Sequence, residues 1–138
     1  HSNTLVLSAA DIARAEEKLN VRLPPDYVAL ISALNGVEFP LFELLRVVPP
    51  ASTAFRHIDI VDANFFQWLN WKMPADLIAL KAEGNGDYVC IRRSLQGLES
   101  TKVFLWQHNA IDEEEAVSLV ADSIEEWLHA EIDEAVPR

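Results

Sequence analysis

The stretch Leu77-Ile-Ala-Leu-Lys-Ala-Glu-Gly-Asn-Gly-Asp-Tyr-Val-Cys-Ile-Arg92 is where the chain changes period. Two short strand-like runs, 78–82 and 88–92, flank Glu83-Gly84-Asn85-Gly86-Asp87, a turn chemistry suited to a β-hairpin. A third run, 103–107, follows a polar turn at 94–101. Upstream the spacing is helical. Ser8-x-x-Asp11 is a short capping box, and Ile12, Ala15, Leu19 and Val21 then fall on one helix face. Leu23-Pro24-Pro25-Asp26 interrupts that helix and places Pro25 at the first turn of a second. Tyr27, Leu30, Ile31 and Leu34 form its apolar stripe, and Asn35-Gly36 ends it.

Between these blocks, residues 39–48 are mostly apolar and are expected to be a strand or an extended segment, and Ile58–Val61 reads as a short strand. Asp62 is then placed to cap a helix carrying Phe65, Phe66 and Leu69. After the third strand, Ile124, Trp127, Leu128, Ile132 and Ala135 recur at helical spacing from about Ser123. The layout predicted is α+β: two N-terminal helices, a central, mainly antiparallel twisted sheet and a C-terminal helix. A length of 138 residues suits one domain with its own core, with no internal repeat or low-complexity linker. His1-Ser2 reads as a tag remnant, and residues 1–8 as a poorly ordered or tag-derived start.

Charge narrows the function. Lys and Arg number 11 against 22 Asp and Glu, a formal net charge of −11. Phosphate backbones and anionic lipid heads repel such a chain, so nucleic acid and membrane surfaces are not expected partners. The imbalance is local. Residues 1–109 hold 12 acids and 10 bases, whereas residues 110–138 hold 10 acids and Arg138 alone, a net of −9. That segment is either an ordinary solvated face or a patch for a basic partner, since such fields raise encounter rates. The single Cys90 permits no internal disulfide and indicates a cytoplasmic protein.

Catalytic and cofactor motifs find little support. The four glycines form no phosphate loop, and no histidine pair has the spacing of a zinc site. His57 with Asp59, and His108 with Asp112, read as isolated structural contacts. Cys90 sits in a strand-like run and is expected to be buried and inert. Arg92 and Arg93 should leave that strand on opposite faces. The acidic run Asp112-Glu113-Glu114-Glu115 lacks the spaced ligands of a calcium loop. No cofactor, metal or small-molecule ligand is expected. Trp106 and Trp127 read as core. In Phe65-Phe66-Gln67-Trp68-Leu69-Asn70-Trp71 one helix face cannot hide every ring, so Trp68 or Trp71 is left to anchor an interface.

Several of these blocks resemble the SUKH superfamily, which includes the Smi/Knr cell-wall regulators of fungi and many bacterial immunity proteins. The likeness lies in the helix from Ile12 through Glu16 and Leu19, the Leu23-Pro24-Pro25-Asp26-Tyr27 corner and the Asn35-Gly36 stop. It continues in Ile78-Ala-Leu80, Gly84-Asn85-Gly86-Asp87-Tyr88, Val103-x-x-Trp106-x-His108 and the terminal helix, spanning roughly residues 10–135. Residues 37–75 match little, and Arg92-Arg93 stands where family members often carry an acid. The resemblance implies the α+β fold and a non-enzymatic role: a cytoplasmic immunity protein that neutralises a cognate toxin by direct contact. Toxins of such systems are frequently nucleases or nucleic-acid deaminases, whose substrate surfaces must be basic. The candidate contact residues are Asp112, Glu113, Glu114 and Glu115 for steering, Trp68 or Trp71 as an apolar anchor, and Asp87 at the hairpin turn. A regulatory scaffold for other protein partners, resembling the fungal members, is the alternative. An enzyme is the third reading, and it requires His57, Asp59, His108 and Asp112 to converge in one cleft.

Overall fold

A computed structural model describes residues 8–33, 43–49, 58–93 and 102–135. The expected stop at Asn35-Gly36, the turn at 94–101, His57 and residues 1–7 lie outside them. Ser8 itself is well placed, because the capping box forms. Its hydroxyl accepts from the Asp11 N–H at 3.2 Å, and the Asp11 carboxylate accepts from the Ser8 N–H at 3.1 Å. Helix α1, Ala9–Leu19, ends at Asn20, whose left-handed φ of 55° lets its N–H reach back to the last turn. Pro25 opens α2, Pro25–Ala33, as the missing proline donor allows.

Among the described residues, five strands make one sheet in chain order, each antiparallel to the next: β1, Glu43–Leu44; β2, Leu77–Ala82; β3, Tyr88–Arg92; β4, Val103–Trp106; β5, Val117–Ala121. The antiparallel α+β arrangement is the one expected. The apolar run at 39–48 supplies β1 within its described residues, and beyond that strand Arg46 bridges Asp59. Two details differ. Ile58–Val61 is not a strand: Asp59, rather than Asp62, caps helix α3, Ile60–Asn70, by accepting from the Asp62 N–H at 3.0 Å. The acidic run leads into a one-turn helix α4, Glu113–Ala116, and then β5, neither of them anticipated.

Alternation divides the sheet into two faces. Val89 and Ile91 share one with Lys81, and this face meets α5, Ile124–Ala135, where the Lys81 ammonium bonds Glu131 at 2.9 Å. Lys81 also contacts Glu83 at 2.7 Å. Burial alone would depress its pKa, but these two carboxylates outweigh burial and hold it above the usual lysine value. Tyr88, Cys90 and Ala79 share the other face, which α3 covers along β2. Asn64 fastens that packing, accepting from the Ala79 N–H at 2.7 Å and donating to its carbonyl at 3.1 Å. The core gathers Leu19, Tyr27, Ile31, Ile60, Leu77, Ile78, Leu80, Val103, Ile124 and Trp127. Cys90 is buried beneath α3, and burial pushes its thiol well above the ordinary value, as an inert role requires. Among the described residues, no helix is long and apolar enough to cross a membrane.

Candidate partner-binding cleft

Helix α3 covers only the β2 side of its face. Toward β4 and β5 the same face stays open as a cleft of about 660 Å³. Its floor is Phe104 and Trp106 of β4 with Val117 and Leu119 of β5, which register places side by side. One wall is the end of α3, Trp71 to Pro74; the other is the segment from Gln107 to Asp112. Arg92 lies 4.6 Å over the Phe104 ring and pairs with Asp76 at 3.0 Å, so the cation belongs to the cleft lining.

Trp71 stands where it does because α3 stops there. It is the C-cap, and Lys72 follows with a positive φ of 57°, which swings the chain away from the helix axis. The indole is 51% exposed. It meets the His108 ring edge-on, centroids 5.6 Å apart. His108 is in turn held from the β2–β3 turn: Asp87 Oδ1 lies 2.7 Å from its Nδ1 and accepts its backbone N–H at 3.2 Å. Gly86 makes room for this contact. Its φ is +96°, and a Cβ there would lie 2.6 Å from the His108 ring. The Gly-Asp turn therefore positions a histidine, and the histidine positions a tryptophan.

The residues expected at an interface thus separate. Trp71 and Asp112 both line the cleft. Asp87 is buried and acts on the cleft through His108 rather than at its surface. Trp68 is half-buried, with its indole N–H given to the Leu77 carbonyl at 3.1 Å, Phe65 edge-on and Arg93 over the ring, so Trp71 is the exposed one of the pair. Glu115 is exposed on α4; the side chains of Glu113 and Glu114 lie outside the described set. His108 pairs with Asp87, and Asp112 lines the same cleft. Asp59 is buried at the N-cap of α3, accepting from the Val48 N–H at 2.9 Å, and is not among the residues that line the cleft with His108. Among the described residues, no three His, Cys, Asp or Glu side chains gather as a metal site.

Sequence reasoning missed Leu119, which belongs to a strand it did not find, and did not single out Phe66 and Leu69 of α3, which are 53% and 78% exposed. Exposed apolar side chains are common at protein interfaces.

The chain is similar in structure to a protein from Pseudomonas syringae pv. tomato, known from a crystal structure, with a TM-score of 0.66 over 91% of this chain and 83% of that one. The two are 20% identical, so this likeness concerns the fold. No curated protein matches the chain. The family model described as SMI1 / KNR4 family (SUKH-1) matches residues 7–130, from the approach to α1 into α5. The chain belongs to the SMI1 / KNR4 family (SUKH-1).

Proposed function

We propose that this protein is an immunity protein that neutralises a cognate bacterial toxin by direct contact, acting by binding and not by chemistry. The supporting observation is the open cleft, where an exposed indole is fixed through His108 and Asp87 beside the Asp112 carboxylate. A fixed aromatic loses little conformational freedom on binding, which suits an anchor. The surrounding acidity favours a basic partner, such as a toxin whose own surface must hold nucleic acid.

The test is co-expression with the product of the adjacent gene. The wild-type chain is expected to co-purify with that product and to rescue cells from it. Trp71→Ala is expected to weaken the complex at least tenfold while leaving the fold intact. No complex and no rescue by the wild type would overturn the reading.

A further inference from the structure

We propose that the partner adds an extended segment to the free edge of β5, and that this segment carries apolar or Thr residues at its centre and Lys or Arg at both ends. The proposal rests on the reading of the cleft as a protein-binding face. Strand β5 is the last in the sheet, so one of its edges has no strand beside it among the described residues. Its hydrogen-bonding phase follows from one contact. Gln107 donates its N–H to the Ala116 carbonyl at 2.7 Å, which makes 107 and 116 a hydrogen-bonded pair. In an antiparallel ladder such pairs alternate, so 105 with 118 is the next. Ser118 therefore turns its backbone groups toward β4, and Val117 and Leu119 turn theirs to the open edge. These two residues also line the cleft. A strand bonded to them would lay alternate side chains beside Leu119, over the mouth of the same cleft.

Edges of soluble sheets are commonly guarded by lysine or proline within the strand; Val117-Ser118-Leu119-Val120-Ala121 contains neither. The one irregularity is at Val120, where the register with β4 shifts, and it limits the usable edge to the first part of β5. Charge selects the occupant. Asp112 and Glu115 lie before the strand and Asp122, Glu125 and Glu126 after it, all exposed, and no Lys or Arg occurs between Lys102 and Arg138. A second copy pairing antiparallel at this edge would set carboxylates against carboxylates at both ends. A segment with cations at its ends meets the opposite sign at both.

A fluorescein-labelled ten-residue peptide with alternating Val and Thr at its centre and two Lys at each end probes the site. Binding is expected, with amide shifts centred on Val117 and Leu119. Glu at the peptide ends, or N-methylation of alternate central amides, should weaken it at least tenfold. Leu119→Pro should do the same while retaining the native thermal transition, since it removes an outward N–H and no bond to β4. No binding, equal binding of the Glu-ended peptide, or shifts confined to other strands would overturn the proposal. So would a dimer in sedimentation that Leu119→Pro dissolves. Failure here leaves the immunity reading standing, because the Trp71→Ala assay reports on the cleft however the partner's backbone runs.

Discussion

Tyr27 shows what one residue contributes and how much of that was legible. Its place in the apolar stripe of α2 is evident from spacing, yet its hydroxyl donates to the Leu45 carbonyl at 2.6 Å, a partner 18 residues away. Nothing in local sequence specifies a contact across that distance; Leu45 is set there by its own N–H bond to Leu80 of β2. Burial, with Asp59 adding to it, pushes the Tyr27 phenol far above its ordinary 10.0, and burial pushes the Cys90 thiol above 9.0. For both groups the unfolded chain releases its proton first. Their stabilisation is therefore complete below about pH 9 and drains away as pH rises beyond the unfolded values. Urea midpoints measured from pH 7 to 11 should fall steadily above pH 9. Tyr27→Phe should cost about 1–2 kcal/mol at pH 7, by leaving the Leu45 carbonyl unpaired. It should also flatten the alkaline decline; an undiminished slope would assign that decline to other groups.

At the scale of elements, β2 to β4 were legible because turn chemistry separates them, and α1 because its capping box is local. Helix α3 was located, but its inward face was not read: Ile60, Val61, Asn64 and Gln67 are the buried residues, while Phe65, Phe66 and Leu69 are exposed. That face is set by amide side chains seeking partners on the sheet: Asn64 on Ala79, and Gln67, whose amide donates to the Tyr88 hydroxyl at 3.3 Å. Hydrophobic periodicity carries no signal for such bonds. Asn64→Leu should accordingly destabilise by about 2–3 kcal/mol, since it strands a buried N–H and its carbonyl despite adding apolar surface. Chemical denaturation measures this, and a stabilised variant would contradict the account. Strand β5 escaped notice for a different reason: five uncharged residues after an acidic turn fit a helix end as well as a strand.

For the whole molecule, sequence reading recovered the layers and named Trp71 and Asp112 among its candidates, while their place on one cleft needed the sheet register. Under the proposed function, the −9 of residues 110–138 acts on the rate of encounter. With a basic partner, Asp112→Lys combined with Glu115→Lys should slow association several-fold and flatten its dependence on salt, with dissociation little changed. Stopped-flow association at two ionic strengths reads this; an unaltered rate would place the encounter surface elsewhere. The chain-order meander of the sheet has one more effect. From β2 to β5 each strand finds its mate across a short connection, and β1 alone among the described strands reaches its neighbour across α3, so little configurational search separates a nascent chain from most of its sheet, and rapid folding is favoured. Helix α5, bringing Ile124 and Trp127, follows all five described strands in the chain, so the core that it closes is completed only after they have emerged from the ribosome.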